Sequence, residues 1–270
     1  MTLIVCLVGS ALLYGYGYVR IRQRQRTFSP VALTAFLSGL LVTAAALLGP
    51  LDDLSDASMS WHMVQHLAII TIVAPLLLFG APLRLALAAL PTRAAAAFAR
   101  FLNGTPMRTV GHPVFGLAVL TLVLYATHFS PLYERALENA DVHAGEHALY
   151  LAAALIYWSP IFAIAPAPHA PSHPVRILVL FLSLPVSAFL GFAFYVTNHV
   201  LYSHYAARPS ALADQTNAGA VMWIAAGSPV IRALLWCVAD WGARERRLGD
   251  AYDALERRGP LAVDVAEGTT

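Results

Sequence analysis

Seven long apolar runs set the strongest constraint on how this chain can fold. Each run has about 17 to 25 residues, the length with which an α-helix crosses a hydrocarbon core about 30 Å thick. Because 59% of the 270 residues are apolar and only 12% are charged, the composition is typical of a bilayer protein and excludes a soluble domain or a nucleic-acid surface. We therefore predict an all-α bundle of seven transmembrane helices. The predicted spans are Leu3 to Val19, Val31 to Gly49, Trp61 to Phe79, Pro113 to Phe129, His143 to Ile164, Arg176 to Val196 and Asn217 to Val238.

The basic residues predict the orientation of this bundle. All 17 are arginines, and most lie in three places: after the first span, between the third and fourth spans, and in the tail. Loops of that parity share one side, which the positive-inside rule makes cytoplasmic. We therefore expect a multi-pass protein of the cell inner (plasma) membrane, with its N-terminus outside and its C-terminus in the cytoplasm. Residues 1–241 form the predicted membrane domain, and residues 242–270 form a polar tail.

The sequence leaves the connecting segment between the third and fourth spans, and the oligomeric state, open. The segment from Leu83 to Met107 alternates an alanine and leucine face with arginines, which is typical of a helix in the inner membrane interface or of a plain helical connector. The use of arginine in place of every lysine suggests a bacterial source. The bilayer itself is a predicted partner, and a homodimer is an alternative to a monomer.

Two histidine pairs are the clearest functional signal. His62 and His66 open the third span, and His143 and His147 open the fifth, both on the predicted outer face. Side chains at i and i+4 share one side of a helix, so each pair can chelate one ion. Imidazole is the commonest metal ligand and is costly in hydrocarbon, so the pairs predict a metal site in which they face each other at matched depth. His128, at the outer end of the fourth span, is a further candidate ligand.

The neighbouring residues narrow the choice of metal. Imidazoles suit zinc, copper, iron or nickel, whereas thioethers favour Cu(I). Met222, inside the seventh span, is a candidate ligand, and Met63 flanks the first pair, so we favour copper over zinc; haem held by two histidines remains an alternative. Asp214 is a candidate ligand, while Glu146 and Gln215 are expected to orient the imidazoles.

Three motifs in sequence order carry a family resemblance. Together they resemble the polytopic, seven-span CtaG-like family of cytochrome c oxidase assembly factors, and they cover most of the chain from the third span to the seventh. The resemblance includes His62, His66, His128, His143, His147, Asp214, Gln215 and Met222 but not His199 or His204. The matching residues are Trp61-His62-Met63-Val64-Gln65-His66 with Ala74-Pro75 and Gly80-Ala81-Pro82; His128, Leu132-Tyr133, His143, Glu146-His147 and Trp158; and Tyr202, Tyr205, Asp214-Gln215, Gly219 and Met222-Trp223.

The resemblance implies a role in maturing a haem-copper respiratory oxidase. A protein of this kind binds copper at the outer face and passes it to an oxidase subunit or to another assembly factor, as a metallochaperone of the respiratory chain and not as an enzyme. Two other classes stay open from the residues alone. One is a membrane zinc hydrolase that uses a carboxylate as general base, and the other is a haem-binding electron-transfer protein.

Overall fold

The computed structural model describes residues 1–164 and 169–257, and within these ranges all regular structure is helical. The all-α prediction is therefore confirmed. In chain order the helices are α1 Thr2–Gln23, α2 Pro30–Leu47, α3 Pro50–Ala57, α4 Met59–Ala68, a π-helical segment Ile69–Val73, α5 Ala74–Phe79, α6 Pro82–Ala89, α7 Thr92–Leu102, α8 Thr105–Val110, α9 Pro113–His128, α10 Pro131–Glu138, α11 Ala140–Phe162, α12 His173–Val196, α13 Ser203–Ala206 and α14 Ala211–Arg257.

Several of these helices can cross a membrane. Five helical segments in the described ranges are long and apolar enough, and a sixth arises if α9 and α10, which meet at 69°, form one broken span. Each of the seven predicted runs coincides with a helix, but α9 has only 16 residues. With 23 residues α11 is long enough, yet His143, Glu146 and His147 make its first half too polar to qualify. The count of seven thus stays a prediction.

The third run is one nearly continuous helix with a local widening. Its α4 part passes through the π-helical segment into α5, where Pro75 lacks an N–H and crowds the preceding turn. The indole of Trp158 on α11 donates to the Ile70 carbonyl over 2.9 Å. This bond satisfies a carbonyl within the π segment and locks α11 against the helix that carries His62 and His66.

Helices α12 and α14 approach each other closely. At their crossing Gly191 and Gly219 meet, and a Cβ atom on either glycine would lie 2.5 Å from the other's carbonyl oxygen. Only two residues without side chains allow this approach, so the glycines fix how closely α14 can dock. The position of Gln215 and Asp214, one turn away on α14, depends on that docking.

Polar contacts tie the helix ends together at the two ends of the bundle. At one end, here called the histidine end, Asp214 at the start of α14 accepts from Met59 N at the start of α4 over 2.7 Å, and the Tyr202 hydroxyl donates to His128 O over 2.9 Å. At the opposite end, the arginine end, His173 on α12 contacts Asp240 on α14 over 2.9 Å. The helices therefore alternate in direction, as a polytopic chain requires.

The remaining predicted segments fall in three places. The interfacial or connecting segment from Leu83 to Met107 is helical and covers most of α6, α7 and the start of α8. The predicted polar tail begins inside α14, which continues with mostly exposed side chains to Arg257, so the boundary at residue 241 stays a prediction. Residues 258–270 of that tail lie outside the described residues.

Candidate metal centre

Four side chains from two helices form a compact group at the histidine end. One nitrogen or oxygen atom from each of His62, His66, His143 and Glu146 lies within 4.8 Å of the corresponding atom of every other member. His62, His66 and Glu146 are buried, whereas His143 is half-buried. The two histidine pairs face each other, with ring centroids 4.9 Å apart for His62 and His143 and 5.2 Å apart for His66 and His147. The predicted convergence of α4 and α11 is therefore confirmed.

The local helix geometry explains why the group is so tight. On α4, residues 62 and 66 are four apart, and on α11, residues 143, 146, 147 and 150 all lie on one face because they are spaced by three or four. Packing these two faces against each other places imidazole and carboxylate groups in one buried volume. The cost of burying so many polar groups is high unless they bind one another or an ion.

Hydrogen bonds fix which nitrogen of His62 faces the group. Tyr205 donates its hydroxyl hydrogen to Ser55 O over 3.1 Å, and the same oxygen lies 3.3 Å from His62 Nδ1. Burial and the nearby Asp214 carboxylate raise the pKa of the Tyr205 phenol, so this hydroxyl keeps its proton. With that hydrogen given to Ser55 O, the Tyr205 oxygen accepts from His62 Nδ1. His62 Nε2 then presents a lone pair toward His66 Nε2, only 3.0 Å away.

The carboxylate is oriented by a separate chain of hydrogen bonds. Tyr150 donates to Glu146 Oε1 over 3.1 Å, and its hydroxyl lies 2.6 Å from Thr127 Oγ1. The other oxygen, Glu146 Oε2, lies 3.9 Å from His66 Nε2. Glu146 therefore has one oxygen held by the protein and one directed at the histidines.

The atoms left without partners are the strongest sign of a ligand site. Among the described residues, the buried polar atoms with no hydrogen-bond partner include Glu146 Oε2, His143 Nε2, His147 Nε2, His128 Nε2 and the Tyr133 hydroxyl. Buried polar groups in native proteins nearly always have partners, so a concentration of this kind calls for a bound group. Imidazole nitrogens and a carboxylate oxygen together are donors that suit a transition-metal ion.

His147 and His128 border the four-residue group. The His147 ring lies 4.1 Å from the His143 ring between centroids, but its nitrogens lie outside the set that meets the 4.8 Å limit. His128 Nδ1 donates to Leu124 O over 2.8 Å, because a carbonyl only accepts, and this leaves Nε2 unprotonated and without a partner. Both residues lie at the histidine end of the bundle, and their role as ligands stays a prediction.

The structure places the other predicted ligands apart from the group. Both Asp214 oxygens are engaged by the first turn of α4, where they accept from Ser58 Oγ, Met59 N and Ser60 Oγ at 2.6 to 2.8 Å. This carboxylate caps a helix N-terminus. Met222 lines an apolar cavity with Leu120 and Trp158, and no described contact joins its sulfur to the histidines.

The predicted orienting residues have different positions. Glu146 is a member of the group itself. Gln215 is buried, donates to His199 O over 2.9 Å and accepts from Leu201 N over 2.8 Å, so it fixes the connection before α13 and does not hold an imidazole. Met63 is buried in the apolar core.

Sequence reasoning assigned no role to the tyrosines that enclose the group. Tyr133 is fully buried, with its ring centroid 5.2 Å from those of both His62 and His128. Tyr150 and Tyr205 hold Glu146 and His62, as described above. The spacing of Tyr150, four residues after Glu146 on one helix face, was a usable signal. No local pattern predicts Tyr205, whose contact with His62 spans 143 residues of chain.

Comparison with known proteins identifies a family for this chain. A family model described as cytochrome c oxidase caa3 assembly factor matches residues 12–244, which include every residue of the four-residue group. No solved structure matches the chain.

Curated relatives occur in mycobacteria. An uncharacterized protein of Mycobacterium bovis is 24% identical over 256 residues, which cover 90% of this chain and 39% of the relative. An uncharacterized protein of Mycobacterium leprae is 25% identical over 253 residues, or 89% of this chain and 38% of the relative. The chain therefore spans less than half the length of the curated relatives that it matches.

Proposed function

Because the chain belongs to the cytochrome c oxidase caa3 assembly factor family, we propose that its histidine and glutamate group binds copper and passes it to an oxidase subunit or to another assembly factor. The observation that carries this proposal is the four donor atoms within 4.8 Å of one another, in a group where His143 Nε2 and Glu146 Oε2 are buried without hydrogen-bond partners. Copper is then the cargo of the protein, and no substrate turnover is required. The role is that of a metallochaperone and not of an enzyme.

The proposed topology has seven spans, with the histidine end outside the cell membrane. The α9 and α11 helices then cross with their neighbours, and the polar first half of α11 is tolerated because His143, Glu146 and His147 face other protein groups and not lipid. The arginine end is cytoplasmic by the positive-inside rule. This orientation supports delivery to an oxidase centre that is filled from the outer side.

The uneven burial of the ligands suggests how an ion enters and leaves. His62, His66 and Glu146 are buried, so they bind the ion out of water, whereas His143 is half-buried and forms the accessible side of the group. A carrier needs such an exchangeable side, because a closed cage of four fixed ligands retains its metal. His143 is therefore the proposed transfer ligand, and His147 beside it is the proposed second contact.

The donor set bears on the choice of metal. Nitrogen and oxygen ligands without a thioether suit Cu(II) and zinc as well as Cu(I). The oxidase assembly family favours copper, and the packing of Met222 and Met63 among apolar side chains weakens the sequence argument for Cu(I) specifically. Zinc bound together with a hydrolytic activity would support the alternative enzyme and overturn the chaperone proposal.

Metal analysis of the purified full chain tests the proposal. Separate samples of the protein are equilibrated with Cu(I) and with Cu(II), and we expect the protein to retain copper. The His66→Ala variant should lose this copper, because His66 Nε2 lies 3.0 Å from His62 Nε2 and 3.9 Å from Glu146 Oε2. His199→Ala is the matched control, because His199 is exposed on the same end of the bundle and outside the group.

Oxidase activity in membranes gives the second readout. His66→Ala should lower the activity of the copper-containing oxidase, and added copper should restore part of it. Equal copper content in His66→Ala and His199→Ala would refute histidine ligation, and full oxidase activity in cells that make only the copper-free variant would refute the carrier role.

A further inference from the structure

A groove between α1 and α6 shares no lining residue with the metal centre. It has a volume of about 440 Å³ and is lined almost entirely by apolar side chains. Leu13, Tyr16 and Leu83 are exposed along it, the small side chains of Ala86 and Ala89 leave room in it, and Gly17 packs closely against Leu85 at its floor. The groove faces the surroundings of the bundle and not its core.

The groove has the length of one membrane leaflet. Along α1 it runs from Ser10, near the middle of the helix, to Arg20 near its end. Ten residues of helix rise about 15 Å, roughly half of a hydrocarbon core about 30 Å thick. A transmembrane helix of a partner would need a groove of about twice this length, whereas an acyl chain of one leaflet fits.

The groove ends at arginines that have no acidic partner among the described residues. Arg20 lines it and donates to Tyr16 OH over 2.7 Å, and Arg24 donates to the carbonyl of Leu90, another lining residue, over 3.2 Å. Residues 1–51 and 57–133 contain eight arginines and no aspartate or glutamate. The charge at this end of the groove is therefore compensated by no carboxylate from these segments.

We propose that this groove binds an anionic glycerophospholipid, with one acyl chain between α1 and α6 and the phosphate beside Arg20 and Arg24. An apolar channel one leaflet long complements such a lipid in both shape and charge when it ends at guanidinium groups that no carboxylate of the described residues neutralises. Helix α1 buries little of its surface, with Tyr14, Gly17 and Ile21 its buried residues, so the lipid also fastens α1 to α6.

Lipid binding to the purified full chain tests the proposal. Native mass spectrometry counts the molecules of phosphatidylglycerol and of phosphatidylcholine with identical acyl chains that the protein retains from mixed micelles. The wild type should prefer phosphatidylglycerol, and Arg20→Gln should lower that preference roughly fivefold, since an arginine near an anionic surface contributes about 1 kcal/mol. The control is Arg93→Gln, an exposed arginine of α7 that does not line the groove, which should keep the preference.

A second variant tests the acyl chain separately. Ala86→Trp fills the groove and should abolish retention of both lipids, even if the arginines remain. Equal preference in Arg20→Gln and Arg93→Gln would overturn the proposal, as would unchanged lipid retention in Ala86→Trp. Equal thermal stabilisation by inorganic phosphate and by phosphatidylglycerol would also overturn it, because the occupant would then be a phosphate and not a lipid. Copper content is measured in the same samples, so this proposal and the copper proposal can fail independently.

Discussion

Replacement of Glu146 by glutamine should have opposite effects on the metal-free and metal-loaded protein. The change keeps the shape of the side chain and the bond from Tyr150 to Oε1, but it removes the negative charge. The atom it replaces, Oε2, is buried without a partner and lies 3.9 Å from His66 Nε2. The glutamine side chain is neutral, so burying it costs less than burying a carboxylate that has one oxygen without a partner.

The expected magnitudes follow from this geometry. Removing a buried group without a partner should stabilise the metal-free protein by about 1 to 3 kcal/mol. Two unit charges about 4 Å apart attract by about 4 kcal/mol at an effective dielectric constant of about 20, which corresponds to a factor of roughly 1000 in affinity. Since His62, His66 and His143 remain as ligands, the loss is smaller than this limit, and we expect Glu146→Gln to weaken copper binding roughly 100-fold.

Two measurements check the prediction. Competition with a copper chelator of known affinity gives the dissociation constant, and thermal unfolding of the metal-free protein in micelles gives the stability. Glu138→Gln, at an exposed carboxylate of α10, is the matched control and should change neither. Unchanged copper affinity in Glu146→Gln, or a lower stability of its metal-free form, would refute the reasoning.

Further predictions concern the supports of the site and its pH dependence. Asp214→Ala should destabilise the protein by about 1 to 3 kcal/mol through the lost α4 cap and leave the copper stoichiometry unchanged, whereas loss of copper would make Asp214 a ligand. Gly219→Ala should lower the unfolding temperature by forcing α12 and α14 apart, while Gly227→Ala, which has open space, should not. Tyr205→Phe should weaken copper binding about 10- to 100-fold, because His62 loses the hydroxyl at its Nδ1. Copper affinity should fall as the pH drops, since protons compete for imidazole nitrogens, and an equilibrium titration that is flat with pH would contradict histidine ligation.

The sequence predicted those parts of the site that depend on local helix geometry. The i, i+4 spacing of His62 with His66 and of His143 with His147, together with the alternation of the spans, was enough to predict two facing pairs. We expected Glu146 to orient an imidazole, whereas the structure places it within the group, and its position three residues after His143 on the same helix face was a signal for this. The all-helical membrane fold followed from the apolar runs.

The parts that the sequence could not predict depend on how distant helices pack. The carboxylate of Asp214 suits a metal ligand, but the docking of α14 brings it to the first turn of α4. The N–H groups of that turn donate to its oxygens. The position of Met222 depends on the same docking of α14, which places its side chain at the wall of an apolar cavity. The polar side chains in the first half of α11 lower its hydropathy, but His143 and His147 face the histidines of α4.

X-ray absorption spectroscopy of the copper-loaded full chain tests the central claim most directly. The account predicts a shell of nitrogen and oxygen neighbours at about 2.0 Å, with the outer-shell scattering of at least two imidazoles and no sulfur. Those imidazole signals should diminish in His66→Ala. A sulfur neighbour near 2.3 Å, or a shell without imidazole scattering, would contradict the assignment of the ion to His62, His66, His143 and Glu146.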